Sequence, residues 1–245
     1  MKKDTKLFLI LFGLSLVSAI LVLPYVVTLQ GELLAQVPMP LLMILLISVF
    51  QSAGIFALAV FAGINLSKRI GFGAPLIESW LEKKQLDYKK TAIQSMVIGV
   101  VVGVTITLLA IFVFPEVSSA SPVPIWQGFL ASFYGGIAEE VLMRFFLMSL
   151  LIFGIMKLAR RNKPNSPIIW FSIIFIAVIF GLGHLPVTAA MTEITEIIVL
   201  RAIVLNGIGG VAFGWLYCKK GLESAIIAHF CADIVLHVIV PFGMG

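Results

Sequence analysis

An all-α bundle that crosses a membrane about seven times is the fold class this sequence predicts. Three observations carry it. The 245 residues are 60% hydrophobic and only 12% charged, against about 25% charged in a soluble domain. Several stretches stay apolar for the ~20 residues that a helix needs to cross the hydrocarbon core. The basic residues fall almost entirely in alternate connections between those stretches, as they do in a polytopic membrane protein.

The predicted spans are 7–29, 40–66, 93–114, 126–157, 167–185, 195–217 and 222–242. The first follows Lys2, Lys3 and Lys6 and reads as a signal anchor. Its apolar run is too long for the h-region of a cleaved signal peptide, and no small-residue cleavage site follows it. Pro24 is expected to bend it, because proline removes one hydrogen bond of the helical ladder. Lys68, Arg69, Lys83, Lys84, Lys89 and Lys90 lie between spans two and three. Lys157, Arg160, Arg161 and Lys163 lie between four and five, and Lys219 and Lys220 between six and seven. The connections near 30–39, 115–125 and 186–194 contain no Lys or Arg. The positive-inside rule therefore puts the N-terminus in the cytoplasm and the C-terminus outside. The +5 net charge is accounted for by this topology and gives no ground for a nucleic-acid partner.

Between spans two and three, the segment Pro75–Leu81 with the lysines after it suits an amphipathic helix on the cytoplasmic leaflet; an ordinary basic loop is the alternative. The outer connection 115–124, rich in Ser and Pro, is expected to be irregular. Span four is long, about 48 Å at ~1.5 Å per residue, so it must tilt, protrude or break. Gly135-Gly136 is its expected soft point. In span six, Gly210 and Gly214 fit the small-xxx-small spacing of close helix approach. Cys218 and Cys231 show no metal or disulfide spacing and are read as packing residues.

The run Gly135-Gly136-Ile137-Ala138-Glu139-Glu140-Val141-Leu142-Met143-Arg144 breaks with this composition. A charge at mid-bilayer costs about 2.5–3.5 kcal/mol on insertion scales, so these groups need partners or a polar cavity. Glu140 and Arg144 are i,i+4 neighbours and can pair. Glu139 points elsewhere, about 100° round the helix, and is the carboxylate left for chemistry. His184 ends span five, four residues after Phe180; His229 and Asp233 share a face of span seven. Glu139, His184 and His229 are expected to meet in one polar cavity. Counted from the basic ends of their spans, however, they lie at unequal depths. A carboxylate beside a neutral imidazole can activate water, and a second imidazole with another donor can hold an oxyanion. The same groups could ligate zinc, although no HExxH helix is present, or line a proton path. Arg201, also within a span, is expected to snorkel outward or pair with Glu193 or Glu196. Asn206 is expected to bond a neighbouring helix, and His237 to serve packing or an interface.

Glu139-Glu140-x-x-x-Arg144, Phe180-x-x-x-His184 and His229-x-x-x-Asp233 occur in order, each on its own span. They resemble the EExxxR, FxxxH and HxxxN/D motifs of the CAAX protease and bacteriocin-processing family of intramembrane proteases, also called the Abi family. The resemblance covers about residues 122–240. It implies that Glu139 is the general base, helped by His184, with Glu140 and Arg144 as the structural pair beside it. It also implies that Phe180 shapes the pocket and that His229 and position 233 hold the oxyanion. The eukaryotic CAAX-box enzyme carries Asn at this last position. Asp233 must instead be protonated, orient His229 or bind a metal.

The resemblance divides the single membrane domain into three helices with the cytoplasmic loop, 1–120, and a catalytic core, 121–245. It implies an endopeptidase acting on a membrane-associated protein or peptide. The short chain with its basic loops reads as a protein of a prokaryotic plasma membrane. No cofactor is favoured; a zinc-dependent version would use Glu139, His184, His229 and Asp233. A bacteriocin-immunity or partner-binding protein without catalysis is one alternative. A proton-coupled transporter is another, against which the lack of an internal repeat speaks.

Overall fold

The computed structural model describes residues 2–115 and 123–244. It is all-helical among those residues. The helices are α1 (Lys3–Leu21), α2 (Leu23–Gln36), α3 (Leu41–Ile70), α4 (Pro75–Leu81) and α5 (Lys89–Phe112). They continue as α6 (Ile125–Leu158), α7 (Ser166–Gly183), α8 (Leu185–Ala189), α9 (Glu196–Lys220) and α10 (Leu222–Gly243). Seven of the helices, with α7 running on through α8, are long and apolar enough to cross a membrane. The outer surfaces are correspondingly apolar: Phe50 is 81% exposed and Phe112 77% exposed, which water would penalise and lipid does not.

Sequence chemistry accounts for the helix ends. The expected first span is two helices. The chain breaks at Val22, and Pro24 occupies the first turn of α2, where its missing N–H costs nothing. α3 stops at Gly71, whose φ of 81° is the left-handed conformation that glycine adopts without Cβ strain. Asn165 caps α7 by accepting from the Ile168 N–H at 3.3 Å, and Thr195 caps α9 by accepting from the Ile198 N–H at 3.4 Å. Most of the expected irregular connection, 116–122, lies outside the described residues.

The segment between α3 and α5 contains the short helix α4, strapped to its neighbours by polar contacts. Glu223, at the start of α10, accepts from the Ile77 N–H at 2.8 Å. The Leu222 N–H donates to the Gly73 carbonyl at 2.9 Å, and Tyr88 and Ser224 hydroxyls lie 2.5 Å apart. Lys3 of α1 reaches both Glu78 and Glu82, and with Lys84 it holds the exposed Glu82 carboxyl down at about 2.

α6 and α10 form the centre. α10 packs against α5, α6 and α9; α6 is flanked by α1 and α3 on another side. Leu7, Val60, Ile64, Phe145, Met148, Ile152, Phe213 and Tyr217 make the buried apolar core between them. α7 and α9 lie unusually close. A Cβ built on Gly210 would stand 2.7 Å from the Ala177 Cβ, and one on Gly181 would stand 2.7 Å from the Ile203 Cα. The small-residue spacing in span six thus serves close approach, as expected. Gly207 sits in the same helix with nothing within 4 Å of such a Cβ. Gly210→Ala is therefore expected to lower stability by about 1–3 kcal/mol through overpacking. Gly207→Ala should leave it unchanged or slightly raised, since alanine is the better helix former. Unfolding midpoints of the two variants in one detergent check the contrast.

Candidate active site

The middle of α6 is wound wide. Residues Tyr134–Glu139 and Val141–Met148 are π-helical, with Glu140 between them. The expected soft point at Gly135-Gly136 is thus a change of helical winding, a feature that often accompanies functional sites. α10 has a π-helical turn of its own, Val235–Ile239, beginning two residues after Asp233. Gly135 and Gly136 let α10 approach. A Cβ on Gly135 would collide with the Asp233 carboxylate and stand 3.3 Å from His229 Nε2. One on Gly136 would stand 2.9 Å from the Phe230 Cβ.

The two adjacent glutamates are used differently. Glu140 is fully buried, and its Oε1 lies 2.8 Å from Arg144 Nη1 and 2.7 Å from His229 Nδ1. The Arg144 contact is a close charge pair without hydrogen-bond alignment, whereas the His229 contact is a hydrogen bond. An ionised carboxylate only accepts, so Nδ1 of His229 carries the donated proton. Nε2 then faces Glu139 Oε2 at 3.9 Å and Asp233 Oδ1 at 3.6 Å. The Glu139 side chain is 22% exposed and that of Asp233 12%. Glu139 is thus the accessible carboxylate of the pair.

Aromatic rings enclose the charges. The Arg144 guanidinium lies 4.9 Å from the Phe180 ring centre and 5.6 Å from that of Phe213, a cation–π arrangement on two sides. Its Nη2 donates to the Gly210 carbonyl at 3.4 Å. Phe213 stacks on the His229 imidazole, with 4.6 Å between centres and 22° between planes. Phe180 meets His229 edge-on at 5.8 Å and His184 edge-on at 4.7 Å. His184 Nδ1 lies 2.9 Å from the Phe180 carbonyl. That contact makes Nδ1 the donor and leaves Nε2 free to accept.

The structure brings Glu139, Glu140, Arg144, Phe180, His229 and Asp233 into one cluster. His184 adjoins it through the Phe180 ring. Among the described residues, the imidazole within 4 Å of Glu139 is that of His229. The unequal depths counted along the sequence are reconciled by the length of α6. Even with a π-wound stretch that rises less per residue than an α-helix, more than ~20 Å of helix separates Glu139 from Leu158, and about 10 Å separates Leu222 from His229. The Leu158 end of α6 must therefore project past the start of α10.

Sequence reading missed Phe213 and the Gly210 carbonyl. A phenylalanine in an apolar span carries no signal of its role. Gly135, expected as a soft point and one turn before Glu139, also opens room for Asp233. Two other expectations fail, the bond of Asn206 to a neighbouring helix and the ion pair of Arg201. Asn206 donates to the Ala202 carbonyl of its own helix at 2.9 Å, satisfying itself without a neighbour. Arg201 makes no ion pair with Glu193 or Glu196, and its Nε is buried without a partner among the described residues. His237 packs edge-on against Tyr25 at 5.8 Å, in keeping with the packing role expected of it.

The zinc arrangement finds no support in side-chain placement. Among the described residues no three or more His, Cys, Asp and Glu side chains gather as a metal-ligand set. The Phe180 ring packs edge-on against both His184 and His229.

Residues 121–235 match the family model for Type II CAAX prenyl endopeptidase Rce1-like proteins. This segment is an Rce1-like domain. It runs from just before α6 to just past Asp233 and includes Glu139, Glu140, Arg144, Phe180, His184, His229 and Asp233. The likeness of this segment is to a family of CAAX prenyl endopeptidases, and the seven long apolar helices of the chain as a whole make the protein a multi-pass integral membrane protein. Neither a curated protein nor a solved structure matches the chain.

The buried charges of the Rce1-like domain set a stability expectation. Removing one member of a buried pair costs about 3–5 kcal/mol, because the other charge is stranded, whereas removing both is far milder. Arg144→Met should show that loss in detergent unfolding, and adding Glu140→Gln should recover part of it.

Proposed function

We propose that the protein is an intramembrane endopeptidase that hydrolyses a peptide bond of a membrane-associated protein or peptide with water activated by Glu139. The observation that carries this reading is the unequal use of two adjacent carboxylates. Glu140 is buried and bound on Arg144 and His229, while Glu139 is partly open, makes no hydrogen bond among the described residues and has His229 Nε2 at 3.9 Å. A base must be free to take a proton and reachable by water; Glu139 is both.

In this mechanism a water beside Glu139 gives up a proton to its carboxylate and attacks the scissile carbonyl. The tetrahedral oxyanion needs donors aimed at it. His229 supplies one when Nε2 carries a proton, and Asp233 supplies the second in its neutral form. Orientation of His229 falls to Glu140, through Nδ1, and to the stacked Phe213 ring. Asp233 is thereby relieved of the orienting role. Glu139 then returns its proton to the leaving amine. His184 presents a free Nε2 beside Phe180, on the rim of the cluster, and assists in positioning water.

The catalytic unit in this reading is 121–245, with 1–120 bracing α6 through α1 and α3. The lysine-bearing end faces the cytoplasm of a prokaryotic cell. Purified protein in liposomes with membrane-embedded peptides tests the proposal. Glu139→Gln should lower cleavage by about 10²–10⁴-fold, the usual worth of a general base, at an unchanged unfolding temperature. Cleavage that persists undiminished in the folded variant would sink the reading.

A further inference from the structure

α5 begins and α9 ends at one end of the bundle, and a groove of about 450 Å³ opens between them. Ile93, Val97, Ile98 and Trp215 line it, and Gln94 and Lys220 stand at its mouth. Its walls face outward: Ile93 is 51% and Val97 57% exposed. Along α5 the groove runs from Ile93 to Ile98, about 8 Å at ~1.5 Å per residue.

The mouth is basic. Lys220 Nζ donates to Gln94 Oε1 at 3.1 Å, which holds the ammonium over the groove. Lys89 and Lys90 are exposed one helical turn before Ile93 and Gln94, and Lys219 adjoins Lys220. Among the described residues none of these four lysines lies within 4.0 Å of a carboxylate. The acids at this end are employed elsewhere. Lys3 takes Glu78 and Glu82, Lys68 takes Asp4, and Glu223 caps α4. Asp87 accepts from the Lys89 N–H and is the acid left nearby. A helix C-terminus favours lysines for its dipole alone, but that explains neither the apolar trough below them nor the additional lysines of α5.

We propose that this groove seats an acyl chain of an anionic phospholipid, whose phosphate is held by Lys220 and Lys90. An apolar trough under unpaired cations at a helix end matches both halves of such a lipid. Basic pockets between membrane helices hold anionic headgroups by the same physics. The site lies on the α5–α9 face and is independent of the Glu139 chemistry.

Trp215 makes the groove its own reporter. W80F/W126F/W170F leaves Trp215 alone; W80F/W126F/W215F leaves Trp170, which is 46% exposed on α7. Each is reconstituted in phosphatidylcholine vesicles containing increasing brominated phosphatidylglycerol or brominated phosphatidylcholine. Trp215 should be half-quenched at a several-fold lower fraction of the anionic lipid, and Trp170 should show no headgroup preference. Adding K90Q/K220Q should abolish the preference at Trp215, and K220R should keep it. Equal quenching by both lipids at Trp215 would mean ordinary annular lipid and would overturn the proposal. So would an equal anionic preference at Trp170, or a preference that survives K90Q/K220Q. If the double variant does not fold, the comparison of Trp215 with Trp170 in the otherwise unchanged chain still decides.

Discussion

One buried carboxylate organises the centre of this molecule. Glu140 has no exposure, and an isolated charge in such a place would be prohibitive. It is tolerated because Arg144, one turn on, and His229, from α10, both converge on Oε1. The pair within α6 could form in any isolated helix; the His229 contact could not. It requires α10 to cross α6 at one height, and it ties the placement of the remaining polar groups to that crossing. Once Nδ1 of His229 is engaged, Nε2 has to face Glu139 and Asp233. The carboxylate that is sealed thus decides how the accessible one is presented.

The packing around this contact follows from the need to bring backbones close. Gly135 and Gly136 remove the side chains that would hold α10 away, and the wide π turns of α6 set Glu139 and Glu140 against the same helix. Behind the charges, α9 contributes Phe213 and the Gly210 carbonyl, while α7 contributes Phe180. The rings pay for nothing in hydrogen bonds, but they offer the guanidinium a negative π face on each side and exclude competing water. The close α7–α9 seam keeps those two rings at a fixed separation. Stability and site geometry are therefore set by the same glycines and aromatics.

The polar periphery has a different logic. At the lysine-bearing end, short-range pairs hold α4 to α1 and α10, and the lysines left over surround an apolar groove between α5 and α9. The charges there lie where a helix leaves the apolar zone, so they need no internal partner. Arg201 and Asn206 show that polar residues within spans need not find one across a helix interface either. Asn206 turns back to its own carbonyl, which costs less order than waiting for a neighbour.

Composition and spacing by themselves determined the helical class, the approximate spans, the alternation of basic connections and the roster of polar residues unfit for lipid. Those properties are local: a span is a run of apolar residues, and Glu140 and Arg144 are neighbours by helical period alone. Tertiary structure decided what depends on contacts between distant segments. It made His229 the partner of Glu140 and the imidazole nearest Glu139, left His184 against the Phe180 ring, and brought Phe213 onto His229. It also matched depths that residue counting put apart, because a helix as long as α6 need not start level with its neighbours. No periodicity encodes the height at which two helices cross; the need to neutralise a buried charge does.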